Sequence, residues 1–268
     1  MNNKVYSFIS IAEKPGKVGS VVYNNLFKLK NINATYIPLK VPKKNFEKVI
    51  KNIKLFSING CSVSMPYKSK VIKYVDKLDS ISKQTNSVNT ILNKNNVLYG
   101  FNTDYYGLLK SINKIQLKLN NTILIIGSGA MAINTLHILK KKQIKNIYIS
   151  SRNNFNAKKI SKKFYIKFVK WADRNEIYID TLINCSPIGM DHVKEIFPIN
   201  KNKILEVKKI IDVVNKPHNT RLIKFCIKNK INHISGKFIS VNQLIRQIEI
   251  YTNLKIGFKQ IEKMLNYK

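Results

Sequence analysis

Apolar positions along this chain alternate between two rhythms. Short runs of β-branched and aromatic residues at 6–11, 35–39 and 60–63 are separated by stretches with helix-like apolar spacing at about 21–30 and 46–54. Strands alternating with helices predict βαβ units and a parallel sheet. A further helix is expected over 69–77, followed by short strands at 90–92 and 97–99 joined by the polar turn 93–96. A second unit opens with an apolar strand at 122–126, a glycine-bearing turn and a helix to about residue 141. Strands follow at 147–150, 181–184, 210–214 and 233–235, and helical periodicity returns over 241–254 and 256–264. The pattern is that of an α/β protein with no internal repeat and no low-complexity linker.

Composition narrows the class. With 268 residues, 44% of them hydrophobic, the chain can bury one large core or two smaller ones, which excludes global disorder. No apolar run approaches the ~20 residues of a membrane span, and the first residues lack the apolar core and cleavage site of a signal peptide. The expectation is a cytoplasmic protein with no membrane partner. Cys61, Cys185 and Cys226 form no CxxC pair, so neither a disulfide framework nor a zinc ribbon is expected. The four histidines show no HExxH-type spacing, and no metal is expected.

Charge is the outlying feature: 48 Lys+Arg against 14 Asp+Glu leave +34. Only four of the basic residues are arginine, and the lysines are spread along the whole chain. A nucleic-acid binder concentrates its cations in a stripe or arm, often rich in arginine, and none is present. The excess reads as solvated surface lysine. It still attracts anionic substrates and cofactors, and at low salt any nucleic acid.

Gly127-Ser128-Gly129-Ala130-Met131-Ala132 fits the GxGxx(G/A) fingerprint, and it sits after an apolar strand and at the start of a helix, where that fingerprint works. The first glycine permits the tight turn, the second lets backbone approach a pyrophosphate, and Ala132 keeps helix and strand close. The next strand ends in Ser150-Ser151-Arg152-Asn153. An NAD site needs an acidic residue there for the ribose 2′-hydroxyl; an arginine instead favours the 2′-phosphate of NADP.

In the first hundred residues, Ser62-Val-Ser64-Met-Pro66-Tyr-Lys68 follows a strand, Asn86-Ser-Val-Asn89-Thr90 precedes the short hairpin, and Asn102-Thr103-Asp104 follows it. Asp104 is one of few acids. With the glycine fingerprint, these segments resemble the shikimate dehydrogenase family, whose pattern reads N-x-T-x-P-x-K, then S/A-V-N-T, N-T-D and G-x-G-x-x-A. Asn184-Cys-Ser-Pro-Ile-Gly189-Met190 is similar to the family's N-x-(T/S)-x-x-G-M turn, and 212–222 to its D-x-x-Y-x-P-x-x-T-x-L segment; Gly236 and Gln243 fit its C-terminal glycine and glutamine.

The resemblance implies a parallel-rich αβ catalytic domain over 1–103, a Rossmann-type NADP-binding domain over 104–235, and C-terminal helices over 236–268 returning to the first domain, with substrate in the cleft between. It implies NADPH-dependent reduction of 3-dehydroshikimate to shikimate in aromatic amino acid biosynthesis. By position, Lys68 is the proton donor and acceptor and Asp104 its partner. Ser64, Asn89, Thr103 and Gln243 hold the ring hydroxyls and carboxylate, and Ser186, Val213 and Gly236 join 127–132 and 151–153 around the cofactor. An ammonium beside a carboxylate suits a carbonyl that receives hydride and then needs a proton.

Four positions depart from the pattern. The family's S-x-S-P-x-x-H-N reads Lys17-Val-Gly19-Ser20-Val-Val-Tyr23-Asn24, so both carboxylate-binding serines are replaced. Lys14-Pro15-Gly-Lys-Val-Gly19-Ser20 is closer to the R-P-x-x-x-G-T stretch of a divergent subgroup, in which Ser20 offers a hydroxyl and Lys17 pairs with the carboxylate. Ser62 stands for the usual Asn, and Asn215 for the Tyr of the D-x-x-Y-x-P segment. Quinate or an amino analogue therefore remains open as substrate. A basic nucleic-acid-binding protein on a degenerate dehydrogenase scaffold is the rival of another class, and monomer and homodimer are equally compatible.

Overall fold

Tyr6–Ala12 (β1) lies between two parallel neighbours, Ala34–Lys40 (β2) and Gly60–Val63 (β3), in the structure, a computed structural model that describes residues 5–265. Val18–Leu29 (α1) and Phe46–Lys51 (α2) make the crossovers. Helix α1 buries Val22, Tyr23, Leu26 and Phe27, the single apolar stripe that a sheet-covering helix needs. Lys77–Leu78 (β4), Ser80–Thr85 (α3), Thr90–Lys94 (β5) and Val97–Phe101 (β6) complete a six-stranded mixed sheet of order β2-β1-β3-β5-β6-β4. The β5–β6 hairpin closes on Asn95 and Asn96, both at positive φ, which a two-residue hairpin turn requires.

The expected helix over 69–77 is instead a 3₁₀ turn, Lys70–Tyr74, followed by β4. Asp76 explains the difference. Its carboxylate accepts from Leu98 N–H (2.6 Å) and from Lys54 Nζ, which holds the chain extended against β6. Helix α3 was not expected; Asp79 caps it by accepting from Ser82 N–H, and Asn86 ends it in the left-handed conformation.

The remaining elements are Thr103–Lys114 (α4), Ile123–Ile126 (β7), Ala130–Lys141 (α5), Ile147–Ser150 (β8), Asn154–Phe164 (α6), Lys167–Phe168 (β9), Thr181–Asn184 (β10), Lys201–Glu206 (α7), Lys209–Asp212 (β11), Arg221–Lys228 (α8), Asn232–Ile234 (β12), Gly236–Thr252 (α9) and Phe258–Met264 (α10). The second sheet, β9-β8-β7-β10-β11-β12, is parallel throughout. Every residue of β7 and β10 is buried, as expected of central strands covered on both faces. Strand order reverses between β7 and β10, the place where doubly wound sheets receive ligands. Helix α9 begins at Gly236, five residues before the periodicity expected from 241.

The chain divides into two compact units. Residues to Thr103 and from Gln243 onward make the first, and Asp104–Asn242 the second. The first is packed on Ile9, Ile11, Ile50, Ile53, Val63, Val71, Ile91 and Leu98. The second core includes Leu124, Ile126, Leu182, Ile204, Ile210 and Leu222. No described helix is long and apolar enough to cross a membrane.

Candidate active site

In the first unit, polar groups gather where the chain enters and leaves the β5–β6 hairpin. Asn89, 2% exposed, precedes β5, and Thr103 opens α4. The Asn89 Oδ1 accepts from Thr103 N–H (2.8 Å), Thr103 Oγ1 (3.1 Å) and Thr90 Oγ1 (2.9 Å). Its backbone N–H donates to Phe101 and its carbonyl accepts from Val63. Only Nδ2 is left, buried and with no hydrogen-bond partner among the described residues. An unsatisfied buried donor costs about 1–3 kcal/mol, which a ligand oxygen accepting from it offsets.

Gln247 on α9 belongs to the same network. Its Nε2 donates to Thr90 Oγ1 (2.7 Å) and its Oε1 accepts from Tyr23 Oη (3.0 Å). Gln243, the glutamine expected at the site, lies one turn earlier, half-buried, and is not a member of this network. A second cluster surrounds Ser62. Tyr36 Oη donates to Ser62 Oγ (2.8 Å), and Tyr251 Oη lies 3.2 Å from the same oxygen. Two glycines make room for these rings. A Cβ on Gly19 would stand 3.0 Å from the Tyr36 hydroxyl, and one on Gly60 2.7 Å from the Tyr251 ring. Burial pushes the Tyr36 phenol up to about 12, so it stays protonated and donates. Neither Gln247 nor Tyr36 emerged from the sequence; Gln247 left only the trace of a second glutamine four residues after Gln243, on the same helical face.

The other expected substrate residues are placed as follows. Val88 N–H donates to the carbonyl of Lys68 (2.8 Å), which fastens segment 64–68 to segment 86–90. Lys68 is half-buried and Ser64 exposed. Lys17 is exposed at the start of α1, where its carbonyl accepts from Ser20 Oγ (2.9 Å). Asp104 is buried in the first turn of α4, the end of a helix that favours a carboxylate.

In the second unit, the turn after β7 fits a dinucleotide. Gly127 has φ +111°, and a Cβ there would meet the Cys185 carbonyl at 2.8 Å, so no side chain is admitted. A Cβ on Gly129 would meet nothing within 4 Å, leaving open space at the N-terminus of α5 for a pyrophosphate. Ala130 is exposed, Met131 half-buried and Ala132 fully buried against the sheet. Ser128 Oγ and Ser151 Oγ are 3.0 Å apart, which joins the glycine turn to the end of β8. Asn153 caps α6 by accepting from Asn156 N–H. Arg152 is exposed and pairs with Glu195 at 3.2 Å.

Ser186 and Val213, expected around the cofactor, sit on a buried network. Asn184 Nδ2 donates to Asp212 Oδ1 (2.9 Å) and to the Ile188 carbonyl, Thr220 Oγ1 donates to Asp212 Oδ2 (2.6 Å), and Ser186 Oγ donates to Asn184 Oδ1 (2.6 Å). Val213 N–H donates to the Asn184 carbonyl (3.0 Å). Asp212 is fully buried, and loss of hydration drives its carboxyl up to about 6 although Thr220, Val214 N–H and Asn184 favour the anion. Gly236 is required sterically: a Cβ would collide with the Val214 carbonyl oxygen. The three cysteines are buried, and burial pushes the Cys185 and Cys226 thiols up to about 12, which keeps them protonated. No group of metal-ligating side chains is found among the described residues.

Two family patterns match the chain, one described as the shikimate dehydrogenase substrate binding domain over residues 18–91 and one as shikimate / quinate 5-dehydrogenase over 109–184. A shikimate dehydrogenase (NADP(+)) of Clostridium beijerinckii is 33% identical over 239 residues, covering 89% of this chain and 88% of that protein. The solved shikimate 5-dehydrogenase-like protein HI0607 superposes with a TM-score of 0.91 at 27% identity, over 99% of this chain and 98% of the other, which fits the divergent subgroup. A shikimate dehydrogenase solved in complex with NADP+ gives a TM-score of 0.84 at 25% identity, over 98% and 94%.

Proposed function

The chain belongs to the shikimate dehydrogenase family, and from that premise we propose that it reversibly reduces 3-dehydroshikimate to shikimate with NADPH. The unit built on β1–β6 holds the ring acid and the unit built on β7–β12 holds the cofactor. The observation that carries the reading is Asn89: a buried amide fixed by three donors to its oxygen, its Nδ2 kept for an acceptor that this chain does not provide among its described residues. A hydroxyl-bearing ring supplies one.

When bound, the cofactor supplies hydride to the carbonyl carbon. The chain's own residues do the rest. The Lys68 ammonium gives a proton to the oxygen as negative charge develops there, and takes it back in the reverse direction. Asp104 is the partner of Lys68 at the substrate hydroxyl. Asn89 and Thr103 orient the ring, and Ser64 and Gln243 add further polar contacts. With Lys17 and Gly19 at the two serine positions, Lys17 pairs with the carboxylate and Ser20 offers a hydroxyl, and the lysine contributes a full charge. Arg152 holds the 2′-phosphate while the turn 127–132 seats the pyrophosphate, with Ser151, Asn153, Ser186, Val213 and Gly236 around it.

The test is NADP+ reduction by shikimate, followed as absorbance of reduced nicotinamide, for wild type and Lys68→Ala. The variant is expected to lose about a hundredfold to ten-thousandfold in kcat with an unchanged circular dichroism spectrum. Quinate is run as a comparison arm, because the altered 17–20 stretch and Ser62 bear on ring specificity. Full activity in the variant would remove Lys68 from the chemistry, and a higher kcat/KM for quinate would reassign the substrate.

A further inference from the structure

The end of β8 carries no acid in sequence, yet the fold brings one to its arginine. Glu195 Oε1 lies 3.2 Å from NH1 of Arg152, the residue that stands where an NAD site has its acid. The carboxylate comes from the loop after β10. That loop is fastened near Glu195 and at its far end: Gly189 N–H donates to the Glu195 carbonyl (3.2 Å), Arg174 Nε donates to the Pro198 carbonyl (2.9 Å), and Asn200 N–H donates to Asn175 Oδ1 (2.8 Å). Gly189, at φ +97°, allows the turn. Arg174 also feels Glu195, but its guanidinium is stacked on Trp171 and bonded to backbone carbonyls. Arg152 is therefore the cation that Glu195 engages directly.

We infer that Glu195 sets cofactor choice by competing with the 2′-phosphate for Arg152. The inference rests on the assignment of the 2′-phosphate to Arg152 above. A 2′-phosphate carries nearly two negative charges at neutral pH and needs the guanidinium, so it must first displace the Glu195 carboxylate from Arg152. A 2′-hydroxyl is neutral and can donate to the same carboxylate, so the unphosphorylated cofactor meets no such opposition. Glu195 thus narrows the preference for NADP over NAD that Arg152 alone would give. Both side chains are about half exposed, so breaking the pair costs a factor of about two to five in an equilibrium constant.

The experiment measures dissociation constants of NADP+ and NAD+ by calorimetry at about 0.15 M salt, where distant charges are screened. The proteins are wild type, Glu195→Gln, Arg152→Gln, the double variant, and Glu206→Gln as a control that removes one negative charge elsewhere. Glu195→Gln is expected to tighten NADP+ twofold to fivefold and leave NAD+ unchanged or weaker. The gain is expected to vanish when Arg152 is already Gln. Equal tightening of both cofactors, a gain that persists without Arg152, or the same gain from Glu206→Gln overturns the inference. An Arg152→Gln variant that binds NADP+ as well as wild type would instead overturn the assignment of the 2′-phosphate to Arg152.

Discussion

Asn89 illustrates how much a single side chain can commit before any ligand arrives. Thr103 and Thr90 occupy its oxygen, and a flip would set the amide nitrogen against Thr103 N–H, donor against donor, so the free end is fixed as a donor. Replacing it by Asp keeps every accepted bond and removes only that donor, while adding a charge that repels an anionic ring acid. Asn89→Asp is expected to raise KM for shikimate at least tenfold and to leave the Kd of NADP+ within about twofold. Steady-state kinetics with cofactor titration checks this; a change confined to the cofactor would contradict the role given to Asn89. Local motifs exposed the glycine turn, Lys68, Asn89, Thr103 and Arg152 in the sequence, because each lies in a short segment whose spacing has a meaning. Gln247 and Glu195 were invisible there. Their partners are 157 and 43 positions away, and only the folded chain brings such pairs together.

At the level of elements, strands were read well because apolar runs between helices leave a strong signature, and Gly60–Val63, Ile147–Ser150 and Thr181–Asn184 fall where the pattern put them. Helices α3, α4, α6, α7 and α8 were not expected, although three of them begin at a capping side chain that reads in retrospect: Asp79, Asn153 and Thr220. Thr220 also ties α8 to β11 and β10 through Asp212, and this junction titrates. The Asp212 carboxyl is raised from 3.8 to about 6, so between those values the folded chain holds a proton that the unfolded chain has released. Stability from this group is therefore full below pH 3.8 and is lost as pH rises through about 6, a change of about 3 kcal/mol. Asp212→Asn keeps an oxygen for Asn184 and Val214 N–H, presents an amide to Thr220, and cannot ionise. Urea denaturation from pH 4 to pH 7.5 is expected to show the variant gaining on wild type through the window and levelling off above it. A difference that stays flat with pH would place the Asp212 titration elsewhere.

Across the whole molecule, charge acts in two opposed ways. Acids such as Glu47, Asp76, Asp180, Glu206 and Glu249 each sit against a lysine or arginine, but 48 bases face only 14 acids, so most cations have no partner of opposite sign. Folding brings these like charges closer together than in the expanded chain, and the native state bears the greater repulsion. Salt reduces that repulsion: the screening length falls from about 30 Å at 0.01 M to about 8 Å at 0.15 M. The same screening weakens the attraction of a polyanionic cofactor. Raising sodium chloride over this range is therefore expected to raise the melting temperature by several degrees while increasing the Kd of NADP+ more steeply than that of NAD+. Duplex DNA serves as the third ligand. If the +34 charge is only diffuse surface lysine, DNA binding falls steeply with salt and shows no sequence preference. Selective DNA binding that persists at 0.15 M salt would mean that the lysines form a recognition surface, and the dehydrogenase reading would then describe only part of what this chain does.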